Sequence, residues 1–114
     1  MPLLSDGLQP PSYNSVSWPG GLLIGNEYLE YGMCEYQPEV IFNLKNSYRN
    51  PPIIYVQLEF GTKPAAGNYA ILASNPIIDD DTGLFKKVKA YSILDAGDLT
   101  NANIVMLAIC TGRE

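Results

Sequence analysis

Histidine is absent from the 114-residue chain. Its absence excludes a Ser-His-Asp triad and removes the commonest general base and the commonest transition-metal ligand. The two cysteines, Cys34 and Cys110, cannot complete a zinc site by themselves, because such a site needs four ligands. Their spacing allows one disulfide but does not require it. We predict a pair of buried, reduced thiols and keep a single bridge as the alternative.

Positive charge is also scarce. The chain has 7 Lys and Arg against 12 Asp and Glu, a formal net charge of −5, whereas a nucleic-acid surface needs a basic face. We therefore expect no nucleic-acid partner. Lys86, Lys87 and Lys89 lie together, and we interpret them as the solvated face of a strand, with a phosphate site as the alternative.

Long hydrophobic runs are missing too. The apolar stretch at residues 102–110 is too short to span a membrane, and the N-terminal stretch lacks the basic region and long apolar run of a signal peptide. We expect no membrane insertion, and we expect the protein to be made in a cytoplasm. Helical spacing is absent except at residues 96–103, which have room for a single turn.

The chain does have apolar residues in quantity, 46 % of the total, which is enough for one domain with a real core. Residues 1–21 are rich in proline and glycine but also carry apolar side chains. This composition predicts an extended anchoring arm that lies on another surface, either its own domain or a neighbouring protein. Tyr13 and Trp18 are the candidate anchors, and residues 22–114 form the predicted β-domain.

Alternating apolar and polar residues fill that β-domain. In the run at residues 53–60, Ile54, Val56, Leu58 and Phe60 are predicted to point inward. The run at residues 38–47 alternates in the same way, and the segment "RNPP" at residues 49–52 makes a turn. The apolar run at 102–112 predicts a central strand covered on both sides. Short β-rich runs separated by turn signals predict an antiparallel β-sandwich of about six strands.

Three consecutive acids are the first candidate for chemistry: Asp79, Asp80 and Asp81. Carboxylates bind Ca²⁺, but the position twelfth from Asp79 is Ala90, where an EF-hand needs glutamate. Asp and Gly also suit a hairpin turn. We predict a turn, with a cation site as the alternative. Nothing else in the chain builds a catalytic set, so we expect no enzyme and no cofactor.

Tyrosine is abundant, with 8 in the chain. Tyrosine rings with one wet edge suit protein interfaces and sugar stacking. Tyr28, Tyr31 and Tyr55 are the candidate interface residues on strands. The alternative is that these rings cap a small sandwich core.

Four segments follow one another along the chain: "EYGMCEY", "PEVIFNLKNSYRNPPIIYVQLEF", "TGLFKKVKAY" and "ANIVMLAICTG". Their order resembles that of the H-type lectin fold family and of the related C-terminal domains of bacteriophage tail fibres. The resemblance covers about residues 28–112. It departs from the family pattern in detail: Tyr48 takes the place of a usual Phe, Leu84 lies between Gly83 and Phe85, and Leu107 stands where an aromatic residue is often found. The matching positions are Val40, Phe42, Tyr48, Pro51, Pro52, Thr82, Gly83, Phe85 and Ala108 to Gly112.

The resemblance implies a six-stranded antiparallel sandwich that assembles as homotrimers, with sugars bound between protomers. Together with the arm, it suggests a structural protein on the surface of a bacteriophage virion, either a fibre tip or a head-decoration protein. Capsid or tail proteins would bind the arm, and host glycans are a further expected ligand. The alternatives are a free bacterial lectin of this type and a small glycan-active enzyme.

Overall fold

The computed structural model describes residues 22–24 and 27–114, with side chains from Tyr28 onward. No helix occurs in this part of the chain, and hence none that could cross a membrane. The predicted arm, with Tyr13 and Trp18, lies outside the described residues. The strands are β1 (Leu22–Ile24), β2 (Glu27–Glu35), β3 (Glu39–Tyr48), β4 (Ile53–Phe60), β5 (Tyr69–Ile78), β6 (Phe85–Ala96) and β7 (Ala102–Thr111).

The strands form two sheets in which every pair of neighbours is antiparallel. Sheet A has the order β1-β2-β7-β4 and sheet B the order β3-β6-β5. The inner faces pack together, because each strand turns alternate side chains to one side. Phe42 and Val88 of sheet B and Ile104 and Met106 of sheet A are all at least 99 % buried. The predicted all-β sandwich of six main strands is confirmed, and β1 adds a short edge.

The turn at residues 49–52 is present, as predicted, and it crosses from one sheet to the other. β3 pairs with β6 and β4 pairs with β7, so the two runs that flank the prolines never pair with each other. The turn is tied to the C-terminus, where Arg49 N donates to Gly112 O at 2.8 Å. The alternation of both runs is confirmed, since Phe42 is buried and Val56 and Leu58 pack against the core.

β7 is the central strand of sheet A, between β2 and β4, as predicted. Its even-numbered side chains are buried in the core, whereas the odd-numbered ones are only half-buried. The expectation that both faces are covered is therefore wrong for the described residues. The outer side chains Val105, Leu107 and Ile109 remain partly exposed on the surface of sheet A.

The acidic segment forms the β5–β6 hairpin turn. Gly83 N donates to Asp79 O at 2.7 Å and Asp79 N donates to Leu84 O at 2.8 Å. Gly83 has a φ of 72°, a conformation that favours glycine. β5 continues past Pro76 to Ile78, further than the sequence predicts. Proline is tolerated there because β5 is an edge strand.

Candidate functional site

The outer face of sheet A is a continuous apolar surface in the described structure. Residues that oppose each other on neighbouring strands share a face, so the strand register defines its rows. One row joins Tyr31, Leu107 and Tyr55 across β2, β7 and β4. We call this surface the sheet A face; its residues are Leu29, Tyr31, Met33, Val105, Leu107, Ile109, Ile53, Tyr55 and Gln57.

The sheet A face is most exposed along β4. Ile53 is 58 % exposed and Tyr55 is 60 % exposed, whereas the β2 and β7 members are half-buried. A soluble protein rarely leaves a contiguous apolar patch of several strands open to water unless it binds something. The sheet A face therefore has the composition of a contact surface.

The structure brings two of the predicted interface tyrosines together and separates the third. Tyr31 and Tyr55 flank Leu107 on the sheet A face. Tyr28 lies on the opposite side of β2, where its ring centroid is 6.5 Å from that of Tyr48 and the Arg113 guanidinium lies 4.7 Å from the ring. The surroundings of Tyr28 match the alternative interpretation, in which the tyrosine ring caps the core of the sandwich.

Sequence reasoning missed the apolar members that complete the sheet A face, among them Leu29, Met33 and Ile53. A signal was present, because the run at residues 102–112 is apolar at odd as well as even positions. We interpreted that signal as burial on both sides, whereas it marks a surface that is still half-exposed.

One end of the sheet A face is polar. The next row beyond Val105 is Glu35, Asn103 and Glu59. Glu35 and Asn103 also line a small hollow of about 160 Å³, together with Thr100 and Asn101. Carboxylate and amide groups of this kind can hydrogen-bond the hydroxyls of a polar ligand.

Glu30 is a buried acid, only 1 % exposed, that joins the two sheets. The register between β3 and β6 is interrupted between Asn43 and Tyr48, so backbone N–H groups there need another acceptor. The Glu30 carboxylate of β2 supplies it, accepting from Lys45 N, from Asn46 N at 3.1 Å and from the Tyr48 hydroxyl. Burial raises the pKa of Glu30, although these hydrogen bonds act in the opposite direction.

The cysteines are free and buried, as predicted. On the paired strands β2 and β7, Cys34 opposes Ile104 and Cys110 opposes Tyr28, six positions further along. At about 3.3 Å per residue their separation is far beyond disulfide range. Burial raises the pKa of Cys34 to about 11 and that of Cys110 to about 12, so both are protonated at neutral pH.

The three acids of the hairpin turn do not converge. Asp79 Oδ1 accepts from Asp81 N at 2.9 Å, and its other oxygen lies 3.2 Å from Lys86 Nζ. The first of these hydrogen bonds is the main cause that lowers the pKa of Asp79. Within the described residues, no group of three or more His, Cys, Asp or Glu side chains is placed to hold a metal ion. The turn prediction is confirmed.

The three lysines of β6 differ from one another. Lys86 pairs with Asp79 at 3.2 Å, and Lys89 pairs with Glu39 of β3 at 2.6 Å. Lys87 is exposed and faces Asn43 across the sheet. This pattern matches the predicted solvated strand face.

Comparisons with known proteins assign no family. No protein-family model matches the chain, and no curated protein or solved structure matches it. The class that the geometry defines is an antiparallel β-sandwich with an apolar outer face on one sheet. The resemblance to H-type lectins and phage tail-fibre domains stays a prediction.

Proposed function

We propose that this protein is a non-enzymatic building block of a bacteriophage virion surface, which assembles as a homotrimer through the sheet A face. The observation that supports this most is the apolar, three-strand continuity of that face, with Tyr31 and Tyr55 on either side of Leu107. Apolar and tyrosine-rich surfaces are typical of subunit contacts. The expectation of a trimer and of a place on a virion comes from the sequence resemblance.

In this proposal the β-domain supplies the subunit contacts, and residues 1–21 bind a capsid or tail protein. The proposal gives the protein a place on the particle surface, as a fibre tip or a head-decoration protein. Buried contact area of about 800 Å² per partner is usual for a stable interface. Burying the whole sheet A face between copies would contribute much of that area.

The experiment is a native mass measurement of the full chain and of two matched variants. Leu107→Glu places a charge at the centre of the sheet A face, whereas Ile93→Glu places the same charge at a 66 % exposed position of sheet B. We expect Leu107→Glu to dissociate the trimer and Ile93→Glu to leave it intact, with circular dichroism confirming that both are folded. Equal masses for both variants would contradict the proposed interface.

A second candidate function is carbohydrate binding, either on the virion or as a free lectin. The polar hollow lined by Glu35, Thr100, Asn101 and Asn103 supports it, because sugars are bound by planar polar side chains next to apolar surface. A glycan array with wild type and Asn103→Ala tests it. Binding to one sugar class that Asn103→Ala weakens would support this function, whereas the absence of any bound glycan would leave the structural role alone.

A further inference from the structure

Among the described residues, three of the four sheet edges carry features that discourage pairing with another chain. β5 contains Pro76, β3 is interrupted between Asn43 and Tyr48, and β1 has three residues. Proline, bulges and short strands are the usual protection of a sheet edge. β4 has none of these. Its eight residues contain no proline and no lysine, and its register with β7 is unbroken from Ile53 to Phe60.

The hydrogen-bond pattern shows which backbone groups of β4 face away from the sheet. Gly61 N donates to Asn101 O at 3.2 Å, in continuation of the β4–β7 register. Directly bonded pairs alternate along an antiparallel ladder. Odd-numbered residues of β4 therefore bond to β7, and Ile54, Val56 and Leu58 turn their N–H and C=O groups outward.

The other side of β7 gives the same result independently. Tyr36 N donates to Ala102 O at 3.0 Å, so the even-numbered residues of β7 are turned toward β2. The odd-numbered residues of β7 are then the ones that bond to β4, as the first argument requires. Because β4 is the last strand of sheet A among the described residues, its outward groups form an edge that another strand fits.

We propose that two copies of this chain pair through their β4 edges, antiparallel and about a two-fold axis at Val56. In this register Ile54 of one copy faces Leu58 of the second copy, Val56 faces Val56, and Leu58 faces Ile54. These pairs use every outward group of the three residues and form about six backbone hydrogen bonds. The pairing extends sheet A continuously from one copy into the next.

The side chains of β4 suit this pairing, because the residues that face each other across the two copies are chemically compatible. On the inner side the facing residues are all apolar. On the outer side Tyr55 faces Gln57 of the second copy, and Glu59 faces Ile53, so no carboxylate faces another. β4 also contacts β5, but the two strands belong to different sheets and do not pair.

This edge contact goes beyond the proposed trimer, and its hydrogen bonds use backbone groups of β4 rather than the side chains of the sheet A face. A trimer formed through the sheet A face and a two-fold contact through β4 together give a hexamer. The edge alone gives a dimer, and the sheet A face alone gives a trimer. Native mass therefore separates failure of one proposal from failure of the other.

Val56→Pro tests the edge and Val56→Ala is its matched control. Proline removes an N–H that faces outward, keeps a side chain of similar volume, and leaves the hydrogen bonds to β7 in place. Alanine keeps the N–H and shrinks the side chain. For the full chain in analytical ultracentrifugation, we expect Val56→Pro to halve the mass of the assembly and Val56→Ala to leave it unchanged. Equal masses for wild type and folded Val56→Pro would overturn the proposal.

A second pair of variants covers the case in which Val56→Pro does not fold. Tyr55→Lys with Gln57→Lys places lysine opposite lysine twice across the two-fold axis, whereas Tyr55→Lys with Gln57→Glu places lysine opposite glutamate. Both double variants also carry Leu107→Glu, which removes the proposed trimer contact. In that background we expect the first to weaken dimer formation by about tenfold relative to the second, because facing charges contribute up to about 1 kcal/mol per pair. Equal association of the two double variants at low salt would also overturn the proposal.

Discussion

At the scale of single residues, the buried Glu30 side chain connects β2 to β3 through its hydrogen bonds. A carboxylate without hydrogen bonds in this position would be costly. Three donors from β3 surround it, and its two oxygens accept from all of them. The interruption of β3 and the buried acid of β2 therefore depend on each other, since each satisfies polar groups that the other leaves inside the protein.

Removing the acceptor should show this dependence. Glu30→Gln replaces one acceptor oxygen by an NH₂ group that faces a donor, so we expect a loss of about 1–3 kcal/mol in the free energy of unfolding. Glu30→Ala leaves three donors without an acceptor and should cost more. Urea denaturation measures both. Glu59→Gln, at an exposed position, is the control, and a Glu30→Gln effect as small as that of the control would contradict this role.

The raised pKa of Glu30 makes stability depend on pH in a defined direction. The folded protein holds a proton on Glu30 more tightly than the unfolded chain, for which the ordinary pKa is 4.5. The contribution of this group is therefore fully present below pH 4.5 and is lost as pH rises through the folded-state pKa. Asp79 and Asp98 have lowered pKa values and act in the opposite sense, at more acidic pH.

We expect the difference in unfolding free energy between wild type and Glu30→Gln to grow as pH falls from neutral to 4.5, the ordinary pKa of this carboxyl group in the unfolded chain. Glutamine does not titrate, so the comparison isolates Glu30. Urea denaturation at the two pH values measures it. A difference that stays constant, or that shrinks on acidification, would show that the carboxyl group does not take up a proton in the folded protein within this range.

At the scale of elements, β4 shows how far alternation alone predicts a strand. The inward positions pack against the core and the outward positions are exposed, with the phase that the sequence indicates. Val56→Asp should unfold the domain, because an unpaired buried carboxylate costs several kcal/mol of a total of roughly 5–15 kcal/mol. Gln57→Asp should be tolerated. Thermal unfolding of both tests this, and similar melting temperatures would mean that the phase is wrong.

The β5–β6 turn is an element whose acids have separate roles. Asp80 is exposed, and Asp80→Asn should change stability by a few tenths of a kcal/mol at most. Asp79→Asn should lower the melting temperature further, because Asp79 accepts from Asp81 N and pairs with Lys86. Millimolar calcium should shift neither protein. A calcium-dependent rise of several degrees, lost in Asp80→Asn, would establish a cation site instead.

At the scale of the whole molecule, the core is formed by strands β2, β3, β6 and β7, with smaller contributions from β4 and β5. All of these lie within the predicted domain of residues 22–114. A chain that begins at residue 22 should therefore fold, and it should lose attachment to the capsid or tail protein that residues 1–21 are proposed to bind. Circular dichroism and thermal unfolding of the truncated chain test the first part. Loss of the cooperative transition would show that residues 1–21 contribute to the core.

The contacts between copies also belong to this scale. The proposed trimer depends on a face made by three strands, and the proposed two-fold contact depends on an edge made by one. Neither property is visible in any single segment. The sheet A face exists because the register puts Tyr31, Leu107 and Tyr55 side by side, and the free edge exists because β4 is the last strand of its sheet.

The sequence by itself determined the fold class, the inward and outward positions of β3 and β4, and the turn at residues 79–83. These are local or compositional properties, which follow from the period of two along a strand and from turn chemistry. The tertiary structure alone decided which strands pair, that the proline turn crosses between sheets, that Tyr28 faces inward while Tyr31 and Tyr55 share a surface, and that Glu30 lies against the interruption in β3. The physical reason is that pairing depends on contacts between residues far apart in the chain, whose free energies no local pattern records.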